Sequence, residues 1–312
     1  MSTEPDSRRR ARRSCLSVPA TNPRFHAKAD QSAADMVILD LEDSVAPAAK
    51  EGARAEAVAA LARYEYAGKL CAVRINACDT RWCFGDVIAV VTGAGERLDA
   101  LVVPKVEGAE QVHFLDVLLA QLEAGQGRSE PVGLDLQIES ARGMENAGEI
   151  AAAAGRVRAL HFGPGDFQAS MRMPGLRIGQ APAGYPGEFW HYFHARLVTA
   201  ARAHGLQAVD GPFGQVRDLD GLREAAARAA MLGFDGKWAL NPAQVDVVNE
   251  AFTPSQEEFD RAHAIVEAYA RATDVDGQGA VLLGDEMIDE ASRKMAAVMV
   301  ERGQAAGLRP GR

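Results

Sequence analysis

The chain has 312 residues, 47% of them hydrophobic, enough to bury a large core in one big domain or two ordinary ones. Its formal net charge of -9 repels phosphate backbones, which argues against nucleic acid as a partner but leaves room for a small anion held by local basic residues. No apolar run approaches the ~20 residues that cross a bilayer, so no transmembrane helix is expected.

The N-terminal stretch SRRRARRS is not followed by the apolar segment of a signal peptide. Residues 1–13 read as a solvated, disordered basic tail, and the cytoplasm follows by elimination. Short apolar runs then alternate with helical periodicity. The strand candidates are CLSVPA (15–20), MVILDLED (36–43), LCAVRINA (70–77), ALVVPKV (100–106), VGLDLQIES (132–140), RALHFGPGD (158–166), LQAVDGPFG (206–214) and GKWAL (236–240). Between and after them RFHAKADQSA, KEGARAEAVAALARY, EQVHFLDVLLAQLEA, MENAGEIAAAAG, FWHYFHARLVTAARAHG, LDGLREAAARAAMLG and PAQVDVVNEAF carry apolar residues at three- and four-residue spacing. Eight such repeats predict a closed (β/α)8 barrel, an α/β TIM-barrel fold, over residues 14–252.

Residues 253–312 are not needed to close a barrel. They read as a helix (253–272) with Thr253 as N-cap, a turn-rich hairpin-like link (273–287) and a second helix (288–307), forming a C-terminal helical extension. Cys15, Cys71, Cys78 and Cys83 do not match zinc-site spacings and read as reduced, structural thiols.

In this kind of barrel the active site is built where strands finish. Polar residues stand at those ends: Asp40, Glu42 and Asp43, then Arg74 and Asn76, Lys105, Glu139, Asp166 and Asp210, with Lys237 at the start of the last strand. Charge beside apolar runs is costly unless paired or bound to a ligand. Glu139 and Asp166 fall on adjacent strands, about 5 Å apart, and two carboxylates without a nearby His or Cys suit Mg²⁺. The other reading of the same pair is a set of salt bridges to Arg74 or Lys105, and the residues alone leave both open. Arg74 has the planar fork that matches a carboxylate, and it is equally a partner for Asp40 or Glu42. Lys105 and Lys237 read as steadying acidic strand ends. His191 and His194, in HYFH, read as a solvated or core helix face, because the spacing carries no metal motif.

Taken in order, SVPATNPRFHAKA, VILDLEDSV, VRINA, VPKVE, QIESARGMENAGEI, GDFQASM, VDGPFG, GFDGKWALNP and DEMIDEASRKMA resemble the HpcH/HpaI aldolase and citrate lyase β-subunit superfamily. Within it, the likeness is greatest to the malyl-CoA/β-methylmalyl-CoA lyases. The resemblance covers about residues 13–303 and implies a (β/α)8 barrel, Mg²⁺, a coenzyme A thioester substrate and a homo-oligomer, trimeric or hexameric. It implies Glu139 and Asp166 as metal ligands, Arg74 as a substrate-binding catalytic residue, and Arg24 and Lys28 against the CoA phosphates. It also implies a C-terminal lid that delivers an aspartate, Asp289, to a neighbouring subunit's site; the residue alone reads as a helix N-cap. Three features depart from the family pattern: Pro19-Ala20 in place of Pro-Gly, Leu240-Asn241-Pro242 in place of Ile-His-Pro, and the insert at 172–190.

The reaction expected from this resemblance is reversible carbon–carbon cleavage of a 3-hydroxy-carboxyacyl-CoA, such as malyl-CoA to acetyl-CoA and glyoxylate. Hydrolysis of a malyl-CoA or citramalyl-CoA thioester at the same site, and a citrate lyase β-like subunit of a larger complex, are the alternatives.

Overall fold

The eight strands of the barrel are short, and almost every position in them is buried. They are β1 (Ser14–Pro19), β2 (Met36–Asp40), β3 (Leu70–Arg74), β4 (Ala100–Val103), β5 (Gly133–Ile138), β6 (Val157–Phe162), β7 (Gln207–Asp210) and β8 (Gly236–Ala239). This computed structural model describes residues 10–182, 184–274 and 277–311. Within them the strands close into one parallel barrel, each paired with its sequence neighbour and β8 returning to β1 through Cys15 beside Trp238. The outer layer is α1 (Pro23–Gln31), α2 (Lys50–Arg63), α3 (Cys83–Ala94), α4 (Ala109–Gln126), α5 (Ala141–Glu145), α6 (Ala147–Ala152), α7 (Pro164–Ser170), α8 (His191–Ala203), α9 (Leu219–Met231) and α10 (Pro242–Ala251).

Because side chains alternate across a strand, every second residue enters the barrel. Cys15, Met36, Ile38, Leu70, Ala72, Ala100, Val102, Ala159, Val209 and Trp238 form one buried cluster there. β5 is missing from that list because its side chains on this face are polar: Asp135 and Gln137, both buried. The same parity carries Asp40 and Arg74, the last residues of β2 and β3, to the C-terminal end of the interior.

Residues 1–9 of the expected basic tail lie outside the described residues. Arg12 and Arg13, assigned to that tail, instead belong to the barrel. Arg12 is buried against Asp135, and the Arg13 carbonyl accepts from the Lys237 N–H. Gly236 makes that approach possible, since a Cβ there would overlap the Arg12 carbonyl. The alternation of strands and helices was legible, but two helices were not assigned from sequence. α3 is so apolar in sequence that periodicity does not mark its outward face, and α7 begins within the run whose pattern predicts the sixth strand. That strand stops at Phe162, so Asp166 sits in the first turn of α7 and not on a strand.

Two compact units emerge among the described residues: Arg12–Asn249, and a mainly C-terminal unit that joins residues 10–11 to the chain from Glu250 onward. The second consists of α11 (Gln256–Asp274), a hairpin of β9 (Val281–Leu283) and β10 (Glu286–Ile288), and α12 (Glu290–Ala305), with α11 packed on α12. The helix expected from Thr253 starts later. Ser255 is its cap: its hydroxyl accepts from the Glu258 N–H at 3.2 Å, and the Glu258 carboxylate accepts from the Ser255 N–H at 2.8 Å. No helix among the described residues is long and apolar enough to cross a membrane.

Candidate active site

The polar strand ends do not form a single rim; they sort into two clusters. One gathers at the barrel mouth. Arg74 grips Asp40 through two parallel hydrogen bonds, Nε to Oδ1 and Nη2 to Oδ2, each 2.7 Å, and its Nη1 lies 3.1 Å from Glu42 Oε2. Burial alone would favour neutral Asp40, yet the Arg74 charge and hydrogen bonds outweigh it and hold the carboxyl below its usual range. Of the five N–H donors on a guanidinium, three are engaged in these pairs, so two are left for a ligand.

Lys105 closes the other side. Its ammonium bonds Glu42 and stands 3.4 Å from Asp43 and 3.8 Å from Asp166. Its backbone adopts φ 53°, a left-handed conformation that costs a side-chain-bearing residue on the order of 1–2 kcal/mol. That turn aims the Lys105 N–H at Glu139 Oε1, 2.8 Å away. Gln137 Nε2 donates to the other Glu139 oxygen at 2.7 Å. The backbone of Gly163 runs against the same carboxylate, where any Cβ would overlap it.

Glu139 thus has its orientation fixed on three sides, but among the described residues no cation pairs with it. Burial, followed by the nearby charge of Asp166, pushes its pKa up to about 8, with Arg74 only partly offsetting them. Asp40, Glu42, Asp43, Glu139 and Asp166 are five carboxylates around two cations, Arg74 and Lys105, a formal excess of three negative charges. A divalent cation would offset most of it. Among the described residues no group of three or more His, Cys, Asp or Glu is arranged to hold an ion, so a cation on Glu139 and Asp166 would complete its shell with water or substrate oxygens.

The second cluster faces outward, between the barrel wall and the helices. Asp210 accepts from Lys237 Nζ at 2.5 Å, lies 3.3 Å from His194 Nε2, and accepts from the Gly211 N–H at 2.7 Å. A cavity of about 240 Å³ lies beside it, lined by Phe162, Trp190, His194, Asp210, Phe213 and Lys237 among others. Neither Glu139 nor Asp166 lines this cavity. Asn76 is also structural: Lys50 donates to its side-chain oxygen, and its amide donates to Asp86.

Arg24 and Lys28 are exposed on α1, four residues apart and so on one helix face, directly after β1. Asp289 lies in the C-terminal unit as the N-cap of α12, accepting from the Ser292 N–H at 2.9 Å. That bond and the Ser292 hydroxyl hold its carboxyl below the usual range. Sequence reasoning did not single out Gln137, Asp135, His161 or Trp238. The available signal was parity: Asp135 and Gln137 share the face of Glu139 at two-residue spacing, and Trp238 alternates with Lys237.

Fold and site together define a (β/α)8 barrel with an acid-rich, oxygen-donor centre at its C-terminal mouth. The signature of the HpcH/HpaI aldolase/citrate lyase family matches residues 13–242, and the chain belongs to that family. It is 39% identical to the L-malyl-CoA/beta-methylmalyl-CoA lyase of Rhodobacter capsulatus, over 97% of this chain and 98% of that protein. It is 34% identical to the citrate lyase subunit beta of Escherichia coli K12, over 96% of each. Among solved structures, the CitE protein of Mycobacterium tuberculosis, crystallised with magnesium, acetoacetate and coenzyme A, superposes with a TM-score of 0.74 at 29% identity, over 95% of this chain and 99% of that one.

Proposed function

We propose that this chain is a magnesium-dependent carbon–carbon lyase of CoA esters, cleaving or condensing a 3-hydroxy-carboxyacyl-CoA such as malyl-CoA. The observation that carries the reading is Glu139: a buried carboxylate held by two hydrogen bonds, without a paired cation among the described residues and raised in pKa by the charge of a second acid, Asp166. The likeness to lyases of malyl-CoA over nearly the whole chain supports the substrate class.

Glu139 and Asp166 are the residues that would hold magnesium, a hard ion suited to their oxygens. When bound, it supplies Lewis-acid polarisation of the 2-oxo-acid carbonyl and offsets most of the local excess of negative charge. Arg74 offers its two remaining N–H groups to the oxygen on which negative charge develops, already oriented by Asp40 and Glu42. In the cleavage direction the hydroxyl of malyl-CoA loses its proton, the bond between the hydroxyl carbon and the acyl α-carbon breaks, and glyoxylate departs. The electron pair remains as the thioester enolate, which is protonated at carbon to give acetyl-CoA. Asp289 is the group we assign to that carbon proton, and the C-terminal unit is the lid that would carry it to a neighbouring subunit's site in a homo-trimer or hexamer. Arg24 and Lys28 would meet the CoA phosphates from the exposed face of α1. We place the enzyme in the cytoplasm.

The deciding experiment incubates the purified protein with malyl-CoA and Mg²⁺ and identifies the products. Acetyl-CoA plus glyoxylate is the expected result. Free CoA with intact malate would make the protein a thioesterase, and turnover only with an acyl carrier protein would make it a citrate lyase β-like subunit. Asp289→Asn keeps the N-cap acceptor but not the base, so kcat should fall by roughly 10²-fold or more while CoA-ester binding holds. Mixing Asp289→Ala with Arg74→Ala protein should restore activity if the site is shared between subunits.

A further inference from the structure

Beneath the barrel mouth, the interior is crossed by a chain of polar side chains that the reaction scheme does not use. The Arg74 guanidinium carbon lies 5.3 Å from the centroid of the Trp238 ring. The Trp238 indole N–H donates to His161 Nδ1 at 2.8 Å, with the rings edge to face. His161 Nε2 stands 3.4 Å from Asp135 Oδ2, and Asp135 accepts from Arg12 Nε at 3.1 Å and Nη2 at 3.3 Å. All five residues are more than nine-tenths buried.

An indole N–H can only donate, so Nδ1 of His161 must accept. The neutral imidazole therefore carries its hydrogen on Nε2, the atom that faces Asp135. Arg12 holds Asp135, the Asp135 carboxylate faces the imidazole Nε2 at 3.4 Å, and the imidazole accepts the indole N–H and so fixes its plane. Aliphatic side chains of similar volume would fill this space without desolvating an arginine and a carboxylate, so stability alone does not account for the chain. Its upper end is the face of Trp238 under the guanidinium. Asp40 and Glu42 grip the edges of Arg74 and set its position, but an aromatic face beneath it sets its tilt and screens it from water.

We propose that Trp238 is a positioning residue for Arg74, with its ring orientation held by His161 and Asp135. The inference rests on the reading of Arg74 as the substrate-binding group. Its test is a double-mutant cycle in the magnesium-loaded enzyme, with malyl-CoA cleavage as the assay and the melting temperature of every variant recorded. Trp238→Leu should lower kcat roughly 10- to 30-fold, the worth of a desolvated cation–π contact, and leave KM for the CoA ester within about threefold. In an Arg74→Gln background, where no cation faces the ring, the same substitution should change kcat by less than about twofold. Trp238→Phe keeps a ring face and should fall between Leu and wild type.

Equal losses in both backgrounds overturn the proposal, as does full activity of Trp238→Leu beside a crippled Arg74→Gln. Full activity of Arg74→Gln itself refutes the underlying reading of Arg74, a separate outcome. If Trp238→Leu does not fold, Trp238→Phe run through the same cycle decides: coupling to Arg74 supports the proposal and additivity overturns it.

Discussion

Glu139 and Asp210 each follow or end a barrel strand, and each is 3% exposed, yet they titrate in opposite directions. Burial raises the pKa of both. For Asp210 the Lys237 charge, then His194, more than reverses this and holds the carboxyl well below the usual range. For Glu139 the Arg74 charge and the Lys105 N–H offset burial and Asp166 only in part, and its pKa rises to about 8. A buried acid with matched cations is an internal fastening, whereas one firmly oriented but left short of positive charge is a place for a ligand.

The contrast can be broken from either side. Asp210→Ala leaves Lys237 buried without its partner and should cost about 3–5 kcal/mol of folding stability, read from urea unfolding. A loss below about 1 kcal/mol would show that the pair is not the fastening described. Glu139→Gln should instead fold normally and lose magnesium-dependent turnover by on the order of 10²- to 10³-fold. Gln137→Leu, which removes one of the two groups orienting Glu139, should lower magnesium affinity roughly 10-fold, measured by calorimetry.

The smallest effects are in protons. With Glu139 raised from 4.5 to about 8, the folded protein holds a proton that the unfolded chain gives up. Stability of the magnesium-free protein should therefore fall as pH rises from about 4.5 to about 8, and Glu139→Gln should remove that slope. Magnesium binding near pH 7 should release nearly one proton, fading above pH 9; calorimetry in buffers of different ionisation enthalpy measures it. Asp210 behaves oppositely. Its contribution is present above the usual carboxyl range and is lost only as pH falls through its depressed value, so mild acid should leave it intact.

Much of the fold could be read along the chain, because alternation of period two and period 3.6 is a local property. The eight strands were each placed within a few residues, and so were the hairpin and the last helix. The errors were also local ambiguities. α3 is apolar around much of its surface, α7 starts within an apparent strand, and Ser255, rather than Thr253, caps α11. The acids at the mouth are visible as charges at the ends of apolar runs, which is why Glu139, Asp166 and Arg74 stand out in the sequence.

What one dimension could not decide is which charge meets which. Arg12 looked like part of a solvated tail, yet it is buried against Asp135, 123 residues away. Asp210 looked like a member of the same rim as Glu139, yet side-chain parity turns it outward to Lys237 and His194. The repeating architecture and the chemical inventory can be read in one dimension, since both depend on residues near one another in the chain. Which carboxylates are neutralised is settled in three dimensions, because Coulomb interactions and desolvation depend on distances and burial that barrel closure creates.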